Sequence, residues 1–141
     1  MLHKILLSFA VVALVLGNVG CSASAKDIAG GRGAVELFHS QLNNQDYGSI
    51  YNQADQRFRE ATKQPDFLAF MTAIHNKLGN VTDATQSSFF VNYTTSGTQI
   101  RLSFATKFSA GDAEEEFVWT KSGDRYALLG YHINSMALIT K

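Results

Sequence analysis

The 141-residue chain has one cysteine and one proline, and its charges balance, with 12 basic and 12 acidic side chains. One cysteine cannot form a disulfide within the chain, so a disulfide-stapled scaffold is excluded. The balanced charge argues against nucleic-acid binding, because such binding depends on neutralising many phosphates. No run of basic residues indicates electrostatic attachment to a membrane.

A short apolar run near the N-terminus is the clearest pattern in the sequence. Lys4 precedes Ile5–Leu16, which spans 12 residues with Ser8 as its only polar member. A membrane-spanning helix needs about 20 apolar residues, so this run is too short to cross a bilayer. A basic residue followed by a short apolar run predicts an export signal peptide.

Two processing sites follow this run, and the residues leave both open. Val19-Gly20-Cys21 resembles the lipobox of bacterial lipoproteins, although Asn18 stands where that family usually has an aliphatic residue. The resemblance implies acylation of Cys21, attachment to the membrane through N-terminal acyl chains and, with Ser22 next, an outer-membrane location. The alternative is cleavage after Ala25, at the small-x-small motif Ala23-Ser24-Ala25, which would release a soluble periplasmic or secreted protein.

The predicted organisation has three parts. Residues 1–21 are a lipoprotein-type signal peptide that ends at the lipidated cysteine, residues 22–33 are a flexible tether, and residues 34–141 are a single α+β domain. The tether is rich in Ser, Ala and Gly, and a flexible segment of a dozen residues has a reach of about 20 Å. We therefore expect the domain to lie near the membrane without being embedded in it.

Helical periodicity predicts three helices in the first half of this domain. The second helix is capped by Asp46 or Ser49, and the third begins at Pro65 and stops at Gly79. His39 and His75 are expected to lie on separate helices and to face solvent. The apolar stripe of the first helix comprises Ala34, Leu37, Phe38 and Leu42.

From about Thr85 the apolar residues alternate, which predicts four antiparallel strands. The predicted turns are Ser96-Gly97, Gly111-Asp112 and Gly123-Asp124. Pairing the strands around these turns places the large apolar side chains on one face of the sheet. The predicted pairs are Tyr93 with Ile100, Val91 with Leu102, Phe89 with Phe104, Phe104 with Trp119, Thr106 with Phe117, Lys107 with Glu116, Trp119 with Leu128, and Phe117 with Gly130.

This order of elements, together with two short motifs, resembles the nuclear transport factor 2-like and cystatin-like superfamily. The motifs are Asn44–Tyr47 leading into Ile50-Tyr51, and Gly123–Leu128 followed by Gly130-Tyr131. Within that superfamily the chain resembles small bacterial lipoproteins of unknown function. The resemblance implies three N-terminal helices packed on a four-stranded antiparallel meander sheet in a cone-like shape, with a cavity between the two layers.

On the predicted register, four side chains line this cavity. His132 is the most informative, because histidine titrates near neutral pH. The alternative for His132 is a core residue bonded to a tyrosine, and a three-residue turn at Ser122–Asp124 would instead send it to the outer face. Glu115 is the only acidic residue that the register brings toward the inner face of the middle strands. The four predicted cavity residues are Tyr93, Trp119, Tyr126 and His132.

Three functions are consistent with these patterns. The first is a membrane-tethered binding or interaction module of the cell envelope, without evident catalysis, that takes an envelope protein or a small apolar ligand. The second is a hydrolase or isomerase that uses His132 as base. The third is a structural lipoprotein that forms homodimers through its outer sheet face. The histidines are too dispersed in the sequence to indicate a metal site, and no cofactor is expected.

Overall fold

The structure, a computed structural model, describes residues 19–140, and it describes side chains from Ser24. The predicted signal peptide therefore lies almost wholly outside the described residues, as does the side chain of Cys21. The helices are α1 (Val19–Asn43), α2 (Tyr47–Gln53), α3 (Gln56–Ala61), α4 (Gln64–Leu78) and α5 (Met136–Ile139). The strands are β1 (Val81–Thr94), β2 (Gly97–Phe108), β3 (Gly111–Ser122) and β4 (Arg125–Asn134).

The four strands form one open antiparallel sheet in the order β1-β2-β3-β4. Helices α1, α2 and α4 contribute buried side chains to the core that covers one face of this sheet. The α+β class and the antiparallel meander are confirmed. Five helices are present in residues 19–140 rather than the three that the sequence predicts.

The alternation of inward and outward side chains along β2 and β3 is as predicted. Leu102, Phe117 and Trp119 are all buried, and they belong to one cluster with the helix side chains. The rings of Phe117 and Trp119 stack with centroids 6.0 Å apart. Because burial of one face fixes which side chains point inward, the hydrophobic pattern alone was sufficient to assign the two faces of β2 and β3.

The predicted pairing of individual residues is wrong for the first two hairpins. Val91 pairs with Ile100, and Phe104 pairs with Glu115 rather than with Trp119. The turns fall at residues 95–96 and 109–110, ahead of the glycines that the sequence favoured. The error is two residues near the first turn and four residues in the second hairpin, so the side chains there stay on their predicted faces. Phe104 pairs with Gln86 instead of Phe89, an error of three residues that follows from a register shift between Gln86 and Ser88.

The third hairpin follows the predicted Gly123-Asp124 turn at its start. Trp119 pairs with Leu128 as predicted, but Phe117 pairs with Tyr131 instead of Gly130. A register shift between Val118 and Trp119 causes this difference. An irregularity of this kind inserts one unpaired residue, so the side chains beyond it change face.

The second predicted helix is two helices in the structure. Ala54 has an extended backbone, and Asp55 starts α3 by accepting a hydrogen bond from the backbone of Arg57 at 2.9 Å. The predicted cap at Asp46 is confirmed, since its carboxylate accepts a bond from the Ser49 backbone. The Pro65 start and the Gly79 stop of α4 are also confirmed, Gly79 having a φ of 76°.

The predicted flexible tether over residues 22–33 is part of α1 in the structure. Asp27 is buried within it, where it accepts hydrogen bonds from Lys121 Nζ at 2.7 Å and from the Tyr93 hydroxyl at 3.1 Å. Gly30 lies against the ring of Tyr126, and a Cβ at Gly31 would lie 2.9 Å from Leu102 Cδ1. The glycines therefore allow α1 to approach the sheet closely, a role that composition cannot distinguish from flexibility.

Two glycines in α1 offer a matched test of this packing. Gly30→Ala would overlap the Tyr126 ring, whereas nothing lies within 4 Å of a Cβ at Gly33. We expect Gly33→Ala to stabilise the protein by about 0.5–1 kcal/mol, since alanine is the better helix former. Gly30→Ala should instead cost about 1–3 kcal/mol through overpacking. Urea unfolding measures both; equal stabilisation by the two substitutions would contradict packing of α1 on the sheet.

Candidate functional site

A buried polar network lies between α1 and the sheet, centred on the carboxylate of Glu115. Glu115 Oε2 lies 2.7 Å from His39 Nε2 and 2.6 Å from the Thr106 hydroxyl. Glu115 Oε1 accepts a hydrogen bond of 2.6 Å from the Tyr131 hydroxyl. The Glu115 side chain has no exposed surface and His39 is 7% exposed. Burial of a carboxylate is costly unless hydrogen bonds compensate for the lost water, and these three partners supply them.

Two sequence elements place these residues together. Val35, Phe38, His39 and Leu42 form the buried stripe of α1, whereas Leu37 is 52% exposed. Glu115 points inward from β3 at the alternate position before Phe117. The prediction that His39 faces solvent is wrong because the stripe was assigned through Ala34 and Leu37. Val35 lies four residues before His39, and Leu42 lies three residues after it. This spacing places all three side chains on one face of the helix, which is the correct stripe.

The electrostatics of the network fix the direction of its hydrogen bonds. The hydroxyls of Thr106 and Tyr131 donate to Glu115, and we assign the Nε2–H tautomer to His39 because a carboxylate accepts hydrogen bonds. Burial raises the pKa of Tyr131 well above the ordinary tyrosine value, and the neighbouring Glu115 charge raises it further. Tyr131 therefore remains a neutral donor across the physiological range, and His39 Nδ1 is left for contacts outside the network.

The raised pKa of Tyr131 has a measurable consequence at high pH. Because the folded-state pKa lies above the unfolded value of about 10, this stabilisation is complete below pH 10 and is lost as the pH rises further. We expect stability to fall above pH 10 by up to about 1.4 kcal/mol per pH unit from this group. Tyr131→Phe should be less stable at pH 7 but lose less stability between pH 10 and 11. Urea unfolding measures both proteins, and an equal loss of stability by the two between pH 10 and 11 would contradict the raised pKa of Tyr131.

His39 also lines a groove between α1 and β1. Its volume is about 410 Å³, within the range of small-molecule sites. Arg32 and Glu36 stand on its rim one helical turn apart, and Arg32 Nε donates to Gln86 Oε1 across the groove. Val35, Ala84 and Phe104 supply its apolar surface. The groove thus combines a cation, a carboxylate and an imidazole that a buried glutamate holds in place.

Another groove, of about 650 Å³, lies on the opposite face of the sheet, beside α5. Asp83, Lys107, Asp112 and Glu114 line it, and all four side chains are exposed. No buried titratable group adjoins these side chains among the lining residues. The groove at His39 is therefore the better candidate for chemistry or for specific binding.

Two of the predicted cavity residues do lie together. Trp119 and Tyr126 line a small cavity under α1, but its volume is only about 40 Å³. Such a space holds no more than about one water molecule. Trp119 Nε1 is buried there without a hydrogen-bond partner among the described residues. The interior beside these rings is a filled core, and the predicted ligand cavity is absent from this part of the structure.

The other two predicted residues lie away from that cavity. Tyr93 is on the inner face but is 56% exposed at the margin of the sheet, with its hydroxyl bonded to Asp27. His132 is exposed on the outer face opposite Glu116, because the irregularity in the third hairpin reverses the faces of β4. Ile133 points inward instead. The alternative of an outward His132 is what the structure shows, although the turn has two residues.

Within the described residues, no group of three or more His, Cys, Asp or Glu side chains is arranged to hold a metal ion. None of the helices in residues 19–140 combines the length and the apolar character needed to cross a bilayer.

An open antiparallel sheet with helices on one face, and a polar network between the layers, defines the class as a small α+β domain. No protein-family model matches the chain, and no curated protein matches it. The solved structure of Bdellovibrio bacteriovorus Bd1075 is similar in fold, with a TM-score of 0.50 and 13% sequence identity. The match covers 79% of this chain and 40% of that one, so the chain spans about two fifths of its neighbour's length. At this identity the likeness shows the fold alone.

Proposed function

We propose that the chain is a membrane-tethered binding module of the cell envelope whose ligand enters the groove between α1 and β1. The observation that carries this proposal is His39, oriented by Glu115 and lining a groove of about 410 Å³. A buried carboxylate that fixes one nitrogen of an imidazole leaves the other for a ligand. The filled core at Trp119 favours this groove over an interior apolar pocket.

The lining of the groove indicates the chemistry of its ligand. Arg32 offers a guanidinium group for an anion, and Phe104 and Val35 offer apolar surface beside it. A small carboxylate with a short alkyl chain satisfies both requirements. This differs from the purely apolar ligand that the sequence suggested, because the structure lines the groove with charged and polar groups.

Titration with hexanoate, followed by NMR, tests the ligand proposal. We expect hexanoate to shift the His39 and Arg32 side-chain resonances, and Arg32→Gln to weaken binding about tenfold through loss of the cation. Arg57→Gln is the matched control, since Arg57 pairs with Asp55 outside the groove. Shifts spread over the surface, or equal weakening by both variants, would contradict a site at His39.

Attachment to the membrane through acyl chains on Cys21, which we call the proposed tether, is the second part of the proposal. Acylation at Cys21 and cleavage after Ala25 both leave Asp27, a buried residue of α1, in the mature chain. Acylation gives firm attachment, because several acyl chains hold a protein far better than one. We expect the chain in the membrane fraction and Cys21→Ser in the soluble fraction. An unmodified Cys21 in a soluble mature chain would instead support cleavage after Ala25.

We also propose a finer family assignment. The chain would be a bacterial lipoprotein whose domain has the cone shape of the nuclear transport factor 2-like and cystatin-like superfamily. Helices on one face of a four-stranded antiparallel meander support it. Some enzymes of that superfamily use a histidine base, and the carboxylate-held His39 gives a second candidate function, a hydrolase or isomerase. Under this alternative His39, rather than the exposed His132, is the base, and turnover of a substrate would be abolished by His39→Gln and spared by His132→Gln.

Self-association is a third candidate. The outer face of the sheet carries Phe90, which is 61% exposed, and no helix side chain in residues 24–140 belongs to a core on that face. A homodimer through this face would bury it. Sedimentation over a range of concentrations separates the possibilities, because a dimer predicts a rising mass that Phe90→Ser suppresses.

A further inference from the structure

One end of the domain brings together the start of α1 and two hairpin turns. Lys26 lies 3.7 Å from Asp124 in the β3–β4 turn, and Asp27 bonds to Tyr93 near the β1–β2 turn. In a meander these two turns lie at the same end of the sheet. We call it the tip end: α1 up to Asp27, the strand residues from the pair Arg101–Val118 to both turns, and the pair Asp55 and Arg57. Asp55 belongs there because its carboxylate accepts a hydrogen bond from the Thr120 hydroxyl.

Cys21, the proposed site of acylation, belongs to the part of α1 that precedes Asp27 and so to the tip end. Cys21 is six positions before Asp27, which is bonded to the sheet through Lys121 and Tyr93. Six residue steps span at most about 22 Å when fully extended. An acylated Cys21 would therefore hold the tip end within about 22 Å of the lipid.

Charge is distributed unequally between the two ends. The tip end carries five cations, Lys26, Arg57, Arg101, Lys121 and Arg125, against three anions, Asp27, Asp55 and Asp124. The remainder of residues 24–140 carries five cations against nine anions. Arg101 stands at the dividing row and pairs with Glu116 just beyond it at 3.7 Å. An anionic surface therefore attracts the tip end and repels the opposite end.

Exposed aromatic side chains lie in the tip end and at its border. Phe89 and Phe90 are 58% and 61% exposed, and Tyr93 is similarly open. All three belong to the second half of β1, which is an edge strand. Aromatic rings at the border of a basic surface are typical of contacts with the headgroup layer of a bilayer.

We propose that the tip end docks on an anionic lipid surface, with the β1–β2 and β3–β4 turns facing the headgroups and α5 facing away. This inference rests on the proposed tether and adds an orientation to it. Three observations place the lipid at the same end of the domain. They are the short distance from Cys21 to the sheet, the excess of basic residues at the tip end and the exposed aromatic side chains there. The groove at His39 would then open parallel to the membrane plane and stay accessible.

Hydrogen exchange of the full chain tests the orientation. The chain is placed in vesicles of phosphatidylethanolamine and phosphatidylglycerol, and exchange is compared with that in detergent micelles. We expect several-fold slower exchange in vesicles for residues 92–98 and 121–126, and unchanged exchange for residues 107–113. Lys26→Glu with Arg125→Glu should remove the slowing, whereas Lys77→Glu with Lys107→Glu, at the opposite end beside α5 and the β2–β3 turn, should retain it.

The outcomes separate docking from tethering. A chain that sediments with the vesicles but shows no selective slowing at the tip end overturns docking and leaves the tether intact. A chain that stays in solution overturns both. Slowing along β1 that grows with protein density at constant lipid indicates a second copy on that edge, and overturns docking on lipid. Unchanged exchange of residues 107–113 in micelles shows that each variant is folded.

Discussion

Replacement of Glu115 by alanine is expected to lower the free energy of unfolding by about 3–5 kcal/mol, the cost of removing one partner from a buried charged network. Glu115 receives donors from His39, Thr106 and Tyr131, and its side chain has no exposed surface. The substitution leaves three buried donors without an acceptor, each of which carries a desolvation penalty. Urea unfolding at pH 7 measures the change.

The neighbouring glutamate provides the control for this experiment. Glu114 points to the opposite face of β3 and is exposed, so Glu114→Ala should change stability by no more than about 0.5 kcal/mol. The loss of stability in Glu115→Gln should fall between those of the two alanine variants. The amide keeps the side-chain volume, but its NH₂ group is a donor that faces other donors. If Glu115→Ala costs no more than Glu114→Ala, the buried network does not exist as described.

Removal of residues 1–33 is expected to destabilise the domain by at least about 3 kcal/mol. The segment lost includes Asp27, which pairs with Lys121, and Gly31, which lies against Leu102. Ile100 and Leu102 have no exposed surface in the structure and would be uncovered in part. Full burial of such a side chain is worth about 1.5–3 kcal/mol.

A chain that begins at Ser24 is the matched control for this truncation. It keeps Asp27 and the close contacts of α1, so its urea midpoint should lie close to that of the full chain. Equal stability of the chains beginning at Ser24 and at Ala34 would contradict the packing of residues 24–33 on the sheet. It would also restore the domain boundary that the sequence suggested at residue 34.

The sequence was informative along β2 and β3 and at the ends of two helices. Alternation along β2 and β3 assigned Leu102, Phe117 and Trp119 to one face, and caps at Asp46 and Gly79 set helix ends. Register was less well specified, because moving a turn by one or two residues leaves the faces unchanged. The glycines of α1 were misread, because close approach to a sheet and flexibility require the same residue.

The candidate site could be predicted only in part. Glu115 was placed on the inner face from alternation, but its partners come from three other elements, α1, β2 and β4, which no local pattern connects. His39 was missed because a shift of the apolar stripe by one position turns it from buried to exposed. His132 was misplaced because a single irregularity between Val118 and Trp119 reverses the faces of β4, and nothing in the local sequence marks it.

The central claim is that Glu115 holds His39 Nε2 in a buried hydrogen bond while the imidazole lines an open groove. NMR of the chain labelled with ¹⁵N-histidine tests it directly. We predict a slowly exchanging Nε2–H proton on His39 that disappears in Glu115→Ala, while exposed His132 shows fast exchange in both proteins. A His39 proton that exchanges as fast as that of His132 would contradict the network, the site and the function proposed from them.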